Sequence, residues 1–176
     1  MKKLTVRQLA LDAMLSAMCA VLAYVSLTFG NVRLSFEGFP VLAGALLFGP
    51  VDGMLVGGVG TLLYQLLGYG LTATTLLWVL PYVAGGALTG WYARKGAFSL
   101  TRRQTLMIVM GNELLITALN TFAIYVDSRV YGYYYPGIIL GVLALRLGMC
   151  VLRGLAYAAA LPPLLRALRK GYRKTA

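Results

Sequence analysis

The sequence predicts an all-α integral membrane protein: six transmembrane helices in one bundle, a single domain over residues 1–176, both termini cytoplasmic. Three observations predict it. First, 60% of the 176 residues are apolar and 12% are charged, about half the charged share of a soluble domain. Second, at about 20 apolar residues per crossing this length fits five or six spans. Third, a net charge of +11, from 16 Lys and Arg against 5 Asp and Glu, collects at span boundaries. The high apolar content excludes disorder. The placement of the charges argues against a nucleic-acid surface, which needs a basic face.

Each element follows from the pattern in turn. The first helix is expected over Val6–Phe29. It is too long for a signal-peptide core and no A-x-A cleavage site follows it, so it reads as a retained span. The loop Gly30–Gly38 leads to a short apolar stretch, Phe39–Phe48, which needs tilt or help from its flanks to cross. Gly49–Gly53 is a turn. Met54–Gly68 is the third segment, and Tyr69–Ala73 links it to a fourth over Thr74–Ala93. A basic linker, Arg94–Arg103, precedes the fifth span, Gln104–Val126. The aromatic loop Asp127–Pro136 leads to the last span, Gly137–Leu165, and a basic tail.

With six crossings, Lys2, Lys3, Arg7, Arg94, Lys95, Arg102, Arg103, Arg166, Arg169, Lys170, Arg173 and Lys174 fall on one side. By the positive-inside rule that side is cytoplasmic, in a multi-pass cell-membrane protein. The outer loops keep Arg33 and Arg129.

The chain has no histidine. Imidazole acid–base chemistry, most zinc sites and haem ligation are thereby excluded, and neither a metal nor a cofactor is expected. Cys19 and Cys150 lie in apolar runs and read as small buried hydrophobes.

Polar groups inside spans are functional candidates by default. Glu113, Thr117 and Asn120 share one face of the fifth span, and Arg146 and Arg153 one face of the sixth. At about 1.5 Å per residue, Glu113 lies roughly 13 Å from the inner end and Arg153 roughly 18 Å. These depths predict a structural ion pair, Glu113–Arg153. Asn120 and Arg146 fall in the outer half. Arg146 has no intramembrane acid at its depth, so it reaches Asp127, a wet cavity or a ligand anion. Arg129 sits beside Asp127 in sequence. Asp12, near the inner end of the first helix, is expected near Arg7 or the headgroups.

Aromatic residues gather at the outer side, as an interfacial belt or as a stacking site for a flat heterocycle. The candidate substrate contacts are Arg33, Phe36, Trp78, Asn120, Arg146 and Tyr134. Gly53-x-x-x-Gly57, Gly86-x-x-x-Gly90 and Gly137-x-x-x-Gly141 read as close helix contacts. Ala10, Ala13, Ala17, Ala20 and Ala23 recur every three or four residues, giving one smooth face for internal packing or for docking another membrane helix.

Several of these residues occur together in a known pattern. Ala13-x-x-x-Ala17 is followed by Val32-Arg33-Leu34-Ser35-Phe36, Phe39-Pro40, Ala43-Gly44 and Leu47-Phe48-Gly49-Pro50 with Gly53 and Gly57; Gly85-Gly86, Gly90 and Asn120-Thr121 come later. The chain resembles the substrate-binding S component of energy-coupling factor (ECF) vitamin transporters over about residues 6 to 166. That resemblance implies a non-enzymatic subunit that takes a vitamin from outside, beneath closing outer loops. A transmembrane T subunit and two ATPase subunits power uptake, the S component toppling in the membrane to release its load. It also implies that Ala13 and Ala17 contact the T subunit.

Within the family, Leu119-Asn120-Thr121 and Arg146 are similar to the folate-type branch. Two features depart from it: Gly60-Thr61-Leu62 carries no acid, and Thr74-Thr75-Leu76-Leu77-Trp78 stands where the branch has Pro-Gly-Phe-Thr. Folate is the substrate this branch implies, with pantothenate or another anionic micronutrient as alternatives. Two other function classes are an intramembrane hydrolase or acyltransferase and an assembly subunit without a ligand. An aspartic dyad needs converging acids. Asp12 and Asp52 read as inner and Asp127 as outer, and no convergence is expected.

Overall fold

The computed structural model describes residues 5–29, 32–98 and 101–174, with side chains at the C-terminal end placed up to Leu168. Gly30, Lys2, Lys3 and the tail side chains from Arg169 onward therefore lie outside the described residues.

The chain forms α1 (Val6–Tyr24), an antiparallel ribbon of β1 (Leu27–Phe29) and β2 (Val32–Leu34), α2 (Gly38–Phe48), α3 (Pro50–Tyr69), α4 (Thr75–Lys95), α5 (Arg102–Val130), a single turn α6 (Gly137–Leu140) and α7 (Leu143–Lys174). Helices α1 to α5 and α7 build one bundle. Among the described residues, α1, α3, α5 and the α6–α7 segment are long and apolar enough to cross a membrane. Leu71, Leu76 and Leu67 stand out from the surface at 83%, 77% and 72% exposure. Such leucines suit lipid as the surrounding solvent.

The first helix ends five residues earlier than its apolar run predicts. Leu27 pairs with Leu34 and Phe29 with Val32 across the ribbon. Val25 to Phe29 alternates apolar Val, Leu and Phe with polar Ser and Thr, a period of two that fits a strand better than a helix end. The last span is likewise interrupted between α6 and α7, then runs as one helix through Pro162 and Pro163 into the basic tail. Helix α5 extends the fifth span at both ends. Thr101 and Gln104 close its start with reciprocal side-chain-to-backbone bonds.

Helix α2 is only about 16 Å long, yet it is the centre of the bundle. Pro40 to Leu46 are buried without a break. A helix apolar on every side must be enclosed. Leu42, Ala43 and Leu46 pack with Ala93, Val109, Tyr157 and Leu161 from α4, α5 and α7. On the other side Val41 packs with Cys19, Val56, Tyr82 and Ile116. Burial by its neighbours supplies the help that this short element requires.

Glycines set the α3–α4 distance. A Cβ on Gly86 would stand 2.3 Å from the Gly53 carbonyl oxygen, and one on Gly90 would stand 2.4 Å from the Gly49 carbonyl carbon. Two of the three small-residue motifs thus lie against each other's helix. The third does not. Gly141 faces the Gly137 carbonyl of its own turn, and Gly137 faces Tyr135.

The alanine series divides. Ala10, Ala13 and Ala17 are exposed, whereas Ala20 and Ala23 are buried. Its mean step of about 3.25 residues falls short of 3.6, so the series winds around the helix. The buried stripe is Asp12, Ser16, Cys19, Ala20 and Ala23, with Cys19 and Ser16 against Gly60 of α3. Asp12 accordingly turns inward, away from the headgroups, and its carboxylate faces that of Asp52. Gln8 Nε2 donates to Asp52, whereas neither Asp12 oxygen has another partner. Two acids therefore converge at the inner end, contrary to expectation, because α1 and α3 pack along this face. Neither lines a described cavity.

Candidate functional site

An outer cavity of about 490 Å³ opens among β2, α3, α4, α5 and α7, within the size range of small-molecule sites. Its floor is made by the chain between β2 and α2. This segment descends into the bundle, so that Gly38 starts α2 against the Glu113 carboxylate and the Tyr157 ring. Successive residues of an extended chain point to opposite sides. Ser35 and Glu37 line the cavity, and Phe36 turns into the core, its ring 6.2 Å from that of Tyr157.

Glu37 is held as an acceptor. Ser35 Oγ donates to its Oε1 at 2.9 Å, and the Tyr82 hydroxyl donates to the same oxygen. Beneath it, Arg153 Nε lies 3.0 Å from Glu113 Oε2, with Glu113 2% exposed. The pair compensates two charges that would each cost several kcal/mol alone, and Arg153 still shows an edge to the cavity.

Arg33 lines the opposite wall, but its guanidinium is occupied. It donates to Ser26 Oγ at 2.5 Å, to the Ala23 carbonyl and to the Tyr64 hydroxyl, and it lies 4.6 Å from the Tyr64 ring centroid. Tyr64 in turn donates to Tyr69 at 3.1 Å. Arg33 is therefore the rivet between the ribbon, α1 and α3 rather than a free anion anchor.

At the rim, Asp127 accepts from Thr74 Oγ1 at 2.5 Å, from Trp78 Nε1 at 3.4 Å and from the Tyr133 hydroxyl. Burial, then the bond to Asp127, pushes the Tyr133 phenol up to about 12, so it stays a donor at physiological pH. Arg129 does not pair with Asp127. It lies over the rings of Tyr134 and Tyr125, at 4.2 and 5.5 Å. Tyr134 packs edge-on against Tyr125 and lies outside the cavity lining.

Outside the Glu113–Arg153 pair, two lining residues, Thr117 and Arg146, carry a buried polar atom without a hydrogen-bond partner. Arg146 donates through Nη1 to Thr121 Oγ1 at 3.1 Å, but its buried Nε has no partner. Asn120 stands beside it on the wall.

Of the six contacts expected from sequence, Arg33, Trp78, Asn120 and Arg146 line this cavity, and Phe36 and Tyr134 do not. Sequence reasoning missed Glu37, Thr61, Tyr64, Gln65 and Asp127 as lining groups. One signal could have found three of them. Thr61, Tyr64 and Gln65 stand at i, i+3 and i+4 in an otherwise apolar helix, which marks one polar face. The lining holds three cations, Arg33, Arg146 and Arg153, and two acids, Glu37 and Asp127; because Arg153 is neutralised by Glu113 beneath the floor, the remaining charges balance. The cavity thus offers donors and acceptors between aromatic walls, with no excess of either sign.

Residues 3–170 match the family described as ECF-type riboflavin transporter, S component. The fold is similar to FolT in its crystal structure bound with folic acid, at 17% identity and a TM-score of 0.67, covering 90% of this chain and 95% of that one. It is similar to the S-component for biotin from an ECF-type ABC transporter, at 16% identity and 0.66, covering 94% and 92%. A third likeness is to the S component of a bacterial ECF transporter, at 18% identity and 0.63, covering 94% and 97%. No curated protein sequence matches the chain.

Proposed function

Because the chain belongs to the ECF-type riboflavin transporter S-component family, whose members are substrate-binding membrane subunits and not enzymes, we propose that it captures riboflavin from outside for ATP-driven uptake by its T and ATPase partners. The charge balance of the outer cavity carries this reading. Riboflavin is a neutral tricycle with a polyhydroxylated arm. It needs aromatic faces, a few donors and acceptors, and no surplus cation. Trp78, Tyr64 and Tyr82 supply rings; Asn120 and the Arg146 guanidinium supply donors to ring carbonyls; Glu37 and Asp127 supply acceptors for N–H and hydroxyl groups. A dianion such as folate would meet carboxylates at both floor and rim. Folate is the second reading, supported by the unpaired Arg146 Nε, the group best suited to a carboxylate.

The test is a titration of purified protein with riboflavin, read by quenching of flavin fluorescence on stacking, and repeated with folate as competitor. Saturable quenching with one flavin per chain, resistant to folate, is the expected result. Absence of quenching, or displacement by folate at lower concentration than by riboflavin, overturns the proposal.

A further inference from the structure

A second recess, about 210 Å³, lies at the opposite, inner end of the bundle, where α2, the α4–α5 connection and α7 meet. Its lining combines the apolar side chains of Leu46, Phe98, Pro162 and Leu165 with the hydroxyl-bearing Thr101 and Thr105. Leu46 and Leu165 are buried at 1% and 9% exposure, so the recess reaches core side chains. Ala97 and Phe98 both adopt the left-handed backbone region, at φ 48° and 58°. That conformation is costly for residues with a Cβ, and here the turn holds the Phe98 ring at the recess.

Two cations, Arg102 from the start of α5 and Arg166 from the inner part of α7, line the same recess. Both are exposed. Among the described residues neither has a carboxylate within ion-pair distance, and none of the chain's five acids lines the recess. Arginines that merely snorkel need no cavity. These two instead come from separate helices to one pocket, part apolar and part hydroxyl-lined, at the inner, positive end of the bundle. Basic pockets between transmembrane helices on the cytoplasmic side suit anionic lipid headgroups, and guanidinium matches phosphate geometry. We infer that this recess is a binding site for an anionic phospholipid of the inner leaflet, its phosphate between Arg102 and Arg166 and its glycerol ester region against Leu46, Phe98, Pro162 and Leu165.

The site is separate from the vitamin cavity, so its test does not depend on the vitamin's identity. The full-length protein in neutral detergent is given phosphatidylglycerol or phosphatidylcholine of the same acyl chains, and bound lipid is counted by native mass spectrometry. Phosphatidylglycerol should be retained in preference. The Arg102→Gln/Arg166→Gln variant should lose that preference by roughly tenfold or more. Lys95→Gln/Arg103→Gln, which removes two cations at the same end but outside the recess, should keep it. Equal loss in both variants, or equal retention of the two lipids by the parent, overturns the proposal. Inorganic phosphate added alone should leave the thermal midpoint unmoved at concentrations where phosphatidylglycerol raises it; equal stabilisation would reassign the recess to free phosphate and overturn the lipid reading. Should the double variant lose helical content, Arg166→Gln alone, at an exposed position of α7, repeats the comparison: partial loss of preference supports the site and unchanged preference overturns it.

Discussion

Arg33 and Arg146 read alike in sequence, as two outer guanidiniums without an acid at their depth. The structure separates them. Arg33 is consumed by Ser26, Ala23 and Tyr64, so it holds the ribbon to the bundle. Arg146 keeps a buried Nε without a partner. A buried donor left unsatisfied costs about 1–3 kcal/mol, and a ligand acceptor recovers that once the Arg146 side chain turns this nitrogen toward the cavity it lines. Arg146→Ala is therefore expected to weaken the vitamin on the order of tenfold while leaving thermal stability nearly intact. Equilibrium titration against the parent measures it, and unchanged affinity would remove Arg146 from the site. The Glu113–Arg153 pair, by contrast, was readable from linear depth alone, because each residue lies within an uninterrupted stretch of helix reaching to the inner end. Glu37 was not: as a loop acid it gave no sign that its segment turns down to floor the cavity.

At the scale of elements, glycine decides what can pack. Gly90 of α4 faces the Gly49–Pro50 backbone so closely that a methyl group would stand 2.4 Å from it. Backbone cannot rotate aside as a side chain can, so Gly90→Ala is expected to part α3 and α4 and cost about 1–3 kcal/mol. Gly111, with nothing within 4 Å of the same methyl, should accept Ala without loss, because Ala favours the helix. Thermal unfolding of the two variants side by side checks this; equal midpoints would refute the packing argument. The motif spacing alone did not distinguish the pairs that meet from Gly137-x-x-x-Gly141, which meets only its own turn.

For the whole molecule, the outer cavity and the outward alanines of α1 lie on different surfaces. Ala13 and Ala17 are exposed next to Met14 and Val21, at 69% and 58%. A bulky residue there should leave the cavity alone but block approach of a partner helix. Ala17→Trp is expected to retain vitamin binding in the isolated chain and to abolish uptake when T and ATPase subunits are co-expressed. Loss of binding in the isolated variant would return this face to internal packing. The winding of the alanine series explains why pattern alone could not settle its role: the inner part faces outward, the outer part inward.

Composition and linear spacing by themselves determined the membrane class, the all-helical architecture and the level at which Glu113 meets Arg153. These are properties of one helix in an apolar slab, where hydrophobicity and rise per residue suffice. Only the tertiary structure decided which polar groups meet: Arg33 with Tyr64, Asp12 with Asp52, Glu37 with Tyr82 and Asp127 with Trp78. In lipid the outside is as apolar as the core, so hydrophobicity does not tell a helix which way to face. Rotation about each helix axis is set instead by close contacts such as Gly86 on Gly53 and Cys19 on Gly60, and those contacts exist only once the helices are side by side.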